Sequence, residues 1–236
     1  MIPTTLTFVP GTMCDRRVWA PVWRELNGQF AVGYIPIETR LTREGIVRLF
    51  EEAGSAGEPL HLVAFSMGGY LALEYALDNP DRVASLVTVC SSAFGLNDKE
   101  KAERARAVDY LASHDYRGIP ASRLNQFVHP SHQSDPNVAD VIRAMDRDLG
   151  KDVLIAQLHE TSARVSLAPR LGKLTCPVLM IGCDSDPFLP PEELQRMGSL
   201  APHAETELVK DAGHMLPLEQ PAWLAARIAK FHSGQN

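Results

Sequence analysis

Short β-branched runs alternate with helical patterns at both ends of this chain, and that rhythm limits the fold more than any other feature. The runs are "TTLTFV" (4–9), "FAVGYIPI" (30–37), "LHLVAF" (60–65), "RVASLVTVCSS" (82–92), "CPVLMIGC" (176–183) and "ETELVKDAG" (205–213). Between and after them lie helix patterns such as "DRRVWAPVWRELN", "REGIVRLFEEA" and "PAWLAARIAKFH". Strands alternating with helices of this length predict an α/β fold with a mostly parallel sheet, flanked by helices on both faces.

The interval 96–165 breaks the rhythm, being helical in pattern with no convincing strand. "DKEKAERARAVDYLASH" places Ala102, Ala105, Val108 and Leu111 close to one helical face, with charges on the others. "NVADVIRAMDRDL" and "DVLIAQLHETSA" read as two further helices separated near Gly150. The expected organisation is a core of 1–95 and 166–236, with 96–165 inserted as a helical cap over the functional edge of the sheet.

At 236 residues the chain suits one large domain or a domain with an insertion. Its balance of 45% apolar and 22% charged residues is that of a soluble globular protein. Net charge is −6 with no basic cluster, which argues against nucleic acid and membrane as partners. No apolar run approaches the roughly 20 residues of a bilayer span. The start "MIPTTLTFVPG" lacks the basic segment of a signal peptide, so the expectation is a cytoplasmic monomer or homodimer. Cys14, Cys90, Cys176 and Cys183 form no CxxC pair. Cys176 and Cys183 bracket one strand, about 20 Å apart and too far to bridge, and all four are read as reduced.

The strand "LHLVAF" runs directly into "SMGGYLALEYAL", a helix pattern that begins at a serine among small residues. Parallel sheets bind ligands at the C-terminal edge of the strands, where such a turn lies. A tight strand–turn–helix connection brings the residues two before and two after the turn close together. Small side chains at Ala64 and Gly68 answer that demand and leave the Ser66 hydroxyl clear of the backbone. The helix N-terminus behind it favours developing negative charge.

"AFSMG" resembles the nucleophile elbow of the α/β-hydrolase family, G-x-S-x-G, with Ala64 in place of the first glycine. The resemblance covers roughly 1–95 and 165–236 and includes "DNPDRVASLV" and "LAPRLGKLTCPVLMIG". It implies a serine, acid, histidine order along the chain. Two acids follow "CPVLMIG" in "CDSDPFLPP"; the resemblance favours Asp186, just before a "P-x-x-P"-like segment, with Asp184 as the alternative. "DAGHMLPLEQP" matches the family's histidine loop and points to His214. The implied oxyanion hole uses the backbone N–H groups of Met67 and of Thr12, in the loop "VPGTMCD". Pro10-Gly11 stands there where relatives often have His-Gly, and "IPIETRLTREG" replaces their D-x-x-G-x-G loop.

The remaining histidines lie in strands, inserted helices or near the C-terminus. His129 and His132, with Asp135 close by, have a spacing that usually arises by accident in a loop, so no metal is expected. The implied activity is hydrolysis of a small carboxylic ester or thioester through an acyl-serine, with no cofactor. A serine elbow argues against the aspartate-dependent dehalogenase and epoxide hydrolase branches. Carbon–carbon bond hydrolysis or lyase chemistry with the same triad, and a ligand-binding receptor with little turnover, are the alternatives.

Overall fold

The computed structural model describes residues 3–55 and 57–234. Six strands, β1 (Thr5–Val9), β2 (Ala31–Tyr34), β3 (Leu60–Phe65), β4 (Val83–Val89), β5 (Val178–Cys183) and β6 (Ala204–Val209), form one sheet in the order 2-1-3-4-5-6. Every neighbouring pair is parallel. The chain steps outward from β1 to β2, then crosses back to β3 and proceeds the other way. The order therefore reverses between β1 and β3, and the loops leaving those two strands diverge and open a crevice.

Alternate residues of the central strands feed two separate cores, as burial on both faces requires. Val63 and Phe65 join Phe8, Val87 and Ile181 on the face covered by α1 (Ala20–Leu26) and α9 (Pro221–Ser233). Leu62 and Ala64 join Leu86 and Met180 on the face covered by α2 (Arg43–Ala53), α3 (Met67–Asp78) and α7 (Pro191–Leu200). Local chemistry sets the helix starts. Thr42 caps α2 by accepting from the Gly45 N–H, and Pro221 begins α9 where a missing N–H costs nothing.

Between β4 and β5 lie α4 (Asp98–Ser113), α5 (Ala121–Phe127) and α6 (Pro136–Ser162), followed by a short α8 (Leu216–Glu219) after β6. Asn97 and Glu100 form a reciprocal capping box at the start of α4. α6 is broken at Gly150, whose φ of 75° and ψ of −176° are open to glycine. The expected pair of helices separated near Gly150 is thus present. The expected apolar face of α4 is not: Leu111 is buried and Val108 partly so, but Ala102 and Ala105 are exposed. The helix turns Arg104, Ala107 and Leu111 toward a cavity instead. A helix face over an open cavity need not be a continuous apolar stripe, so small apolar residues misplace it. Val138, Ile142 and Met145 of α6 join the α1/α9 core, so the inserted helices share packing with the sheet.

Candidate active site

Ser66 occupies the turn between β3 and α3 with φ 49° and ψ −116°, a conformation costing a non-glycine residue about 1–3 kcal/mol. The surroundings enforce it. A Cβ on Gly68 would lie 2.3 Å from the Pro10 carbonyl oxygen, and one on Gly69 would lie 2.5 Å from Ser91 Cβ. The first turn of α3 is therefore pressed against the loop after β1 on one side and the end of β4 on the other. Ser91 Oγ donates to the Ser66 carbonyl at 2.8 Å, and the Ser66 N–H donates to the Val89 carbonyl at 2.9 Å. Ala64 points its methyl into the α2/α3/α7 core, where one extra carbon is accommodated.

The structure brings Ser66, His214 and Asp186 together. His214 Nε2 lies 2.9 Å from Ser66 Oγ, and Nδ1 lies 2.8 Å from Asp186 Oδ2. Asp186 is buried, and its other oxygen accepts from the Phe188 N–H at 2.8 Å. Asp184 does not reach the imidazole; its carboxylate accepts from the Asp211 N–H at 3.1 Å and so ties the end of β5 to the loop after β6. Phe65 and Phe188 hold the imidazole, with ring centroids 5.1 and 4.8 Å away. With its proton on Nδ1 facing the carboxylate, His214 presents a free lone pair to the serine hydroxyl.

Thr12 and Met67 line the same cavity as Ser66 and His214. Neither backbone N–H has a hydrogen-bond acceptor among the described residues, and Met67 is the first residue of α3, where an N–H has no intrahelical partner. The adjacent Met13 N–H is engaged by Gln157 Oε1 at 2.9 Å. Gln157 thereby fastens the β1 loop to α6, with Met13 at a positive φ of 52°. Cys14 is buried among apolar side chains, and burial pushes its thiol far above the ordinary range.

Several supporting residues carried no signal in the sequence. Glu219 is buried, and its Oε2 accepts from the Gly213 N–H at 2.9 Å and the His129 N–H at 3.0 Å. The His214 N–H donates to the Phe127 carbonyl at 2.8 Å. The histidine loop is thus moored to the end of α5 from two directions. Burial raises the Glu219 carboxyl above its usual range. Cys90, at the end of β4, lies with its sulfur 3.6 Å from that of Cys183; both thiols are free. Pairwise contacts across neighbouring parallel strands depend on sheet order, which spacing along the chain does not reveal.

Among the described residues, His129, His132 and Asp135 do not gather as a set of metal-type donors. His129 Nδ1 bonds Ser131, and Asp135 caps α6. The set that does gather, within 4.8 Å, is Cys90, Asp186 and His214, and the last two already bond each other. No described helix is long and apolar enough to cross a membrane.

A parallel sheet with its order reversing at β1/β3, and a strained serine there bonded to a histidine that is bonded in turn to a buried aspartate, define the class. The alpha/beta hydrolase fold family matches residues 44–221, and the chain belongs to it as an α/β-fold hydrolase. It is 33% identical to an uncharacterised carboxylesterase, nap, of Bacillus subtilis (strain 168), covering 98% of this chain and 80% of that one. It is 23% identical to the pimeloyl-acyl-carrier-protein methyl ester esterase of Aliivibrio salmonicida (strain LFI1238), covering 89% of this chain and 84% of that one. In fold it matches a thermophilic esterase from Thermogutta terrifontis, with a TM-score of 0.86, 24% identity, and coverage of 99% of this chain and 90% of that one.

Proposed function

We propose that this chain hydrolyses small carboxylic esters or thioesters through an acyl intermediate on Ser66. The observation that carries the reading is the bonded series Ser66 Oγ, His214 Nε2, His214 Nδ1, Asp186 Oδ2, with steps of 2.9 and 2.8 Å, opening on one cavity. The esterase names of the relatives support an ester as the substrate.

Ser66 Oγ attacks the carbonyl carbon as its proton passes to His214 Nε2. Asp186 holds the Nδ1 proton, keeps the ring in the productive tautomer and stabilises the imidazolium. The Thr12 and Met67 N–H groups receive the negative oxygen of the tetrahedral intermediate. The intermediate collapses as His214 returns the proton to the departing alcohol or thiol. Water then attacks the acyl carbon, gives its proton to His214, and the acid leaves as Ser66 Oγ recovers a proton. The inserted helices act as a cap that walls the cavity and selects the substrate.

Treatment with a fluorophosphonate tests the nucleophile. One adduct, on the peptide containing Ser66, is expected on the wild type, and none on Ser66→Ala. An adduct on another residue of the wild type, or persistent labelling of the folded variant, would remove Ser66 from that role.

A further inference from the structure

The cavity above Ser66 has a volume of about 650 Å³, and its cap side holds arginines that no described carboxylate contacts. Arg104 of α4, Arg164 just after α6, and Arg123 of α5 all line it. Among the described residues, none of the three lies within 4.0 Å of a carboxylate, in a chain whose net charge is −6. Arg104 and Arg164 are half-buried and Arg123 is exposed, and for the first two the desolvation of the guanidinium is only partly offset without an acid in contact. Where an arginine's carboxylate is missing from the protein, a ligand can bring it.

The two inner arginines are also held in place. Arg104 Nη1 donates to Thr161 Oγ1 at 2.8 Å, and that hydroxyl donates onward to the Gln157 carbonyl at 2.6 Å. Arg164 lies over the Tyr70 ring at 5.3 Å, and its Nε is buried with no hydrogen-bond partner among the described residues. Tyr70 is on the nucleophile helix: its N–H donates to the Ser66 carbonyl at 3.2 Å, and its hydroxyl donates to the Val165 carbonyl at 2.9 Å. Arg164 is therefore braced one helical turn from the serine.

Of the acids on the same cavity, Glu100 accepts from the Asn97 N–H in the α4 capping box and attracts Arg104 and Arg164 from beyond salt-bridge contact, and Glu103 faces Lys99 at 4.0 Å. Asp146 accepts from the Tyr116 hydroxyl and, at 2.7 Å, from the Ile119 N–H. Burial, with the Arg164 charge close by, lowers Arg104 to about 10, and burial lowers Arg164 as well. An incoming anion relieves both effects.

We propose that Arg104 and Arg164 form an anion subsite, so that the ester this enzyme prefers carries a carboxylate or phosphate remote from the bond it breaks. The inference rests on the hydrolase reading and adds the charge of its substrate. Two guanidinium groups offer the paired N–H donors that oxyanions of both kinds accept.

The test compares methyl monoesters of linear dicarboxylic acids with the neutral dimethyl esters of the same length. Wild-type kcat/KM should favour the monoester, and Arg164→Gln and Arg104→Gln should each cut that preference about tenfold or more, as loss of a charge-assisted hydrogen bond implies. Arg164→Lys should restore part of it. Glutarate and inorganic phosphate serve as inhibitors, and the stronger one tells which oxyanion fits. A wild type that hydrolyses the neutral diester as well as the monoester, with neither anion competing, would overturn the subsite and leave the hydrolase reading standing. Equal losses on both esters in the variants would overturn it too. A protein that turned over neither these esters nor a short-chain p-nitrophenyl ester, but bound glutarate calorimetrically in a way dependent on Arg104 and Arg164, would keep the subsite and sink the hydrolase reading. The wild-type comparison needs no variant to fold.

Discussion

Ser66 shows how much of a site one residue's backbone can specify. Its positive φ is maintained because Gly68 and Gly69 let two neighbouring segments approach to distances no side chain permits. That requirement was legible in "AFSMGGY", since small residues around a serine between a strand and a helix have few other uses. The choice between Asp184 and Asp186 was not legible from spacing, because both follow the same strand by a residue or three. The structure separates them: Asp186 turns inward to His214, whereas Asp184 ties down Asp211. Asp186→Asn should lower kcat by about 10⁴ with the fold intact, because the amide presents the wrong partner to Nδ1–H. Asp184→Asn should change kcat little. Steady-state kinetics on one ester check both, and the opposite ranking would exchange their roles.

At the scale of elements, the long strands and helices were read from periodicity, but α5 and α8 were not. α8 has four residues, too short for a helical period to develop, and α5 buries only Leu124 and so carries no apolar stripe. Both matter, since the end of α5 accepts the His214 N–H and α8 carries Glu219. At the opposite edge of the sheet, β3, β4 and α9 are joined by His61, Ser85 and His232. Ser85 Oγ lies 2.8 Å from His61 Nδ1 and 3.1 Å from His232 Nε2, and His232 Nδ1 donates to the Ile228 carbonyl. Burial lowers both imidazoles below their ordinary range. The unfolded chain therefore takes up protons first as pH falls past about 6.5. Their contribution to stability is full above that pH and is lost as pH falls through the folded values. Melting should drop between pH 8 and pH 5, and by less in His232→Gln. An undiminished drop in the variant would assign the acid sensitivity to other groups.

For the whole molecule, the order of strands decides where chemistry can occur. The reversal between β1 and β3 puts Thr12 and Ser66 on diverging loops, and β5 and β6 deliver Asp186 and His214 to the same edge. Parallel topology was legible in the alternation of runs, and with it the edge at which the site lies. The charge of the cavity was not. A net charge of −6 hides three arginines that meet only when α4, α5 and the end of α6 fold over the sheet. If Ser66 carries the reaction, turnover of a short-chain p-nitrophenyl ester depends on its hydroxyl. The wild type should reach a kcat of about 1–10³ s⁻¹. Folded Ser66→Ala should fall by about 10⁶. A variant that retained the wild-type rate would remove Ser66 as the nucleophile, and a wild type turning over below about 10⁻³ s⁻¹ would contradict hydrolysis as its function.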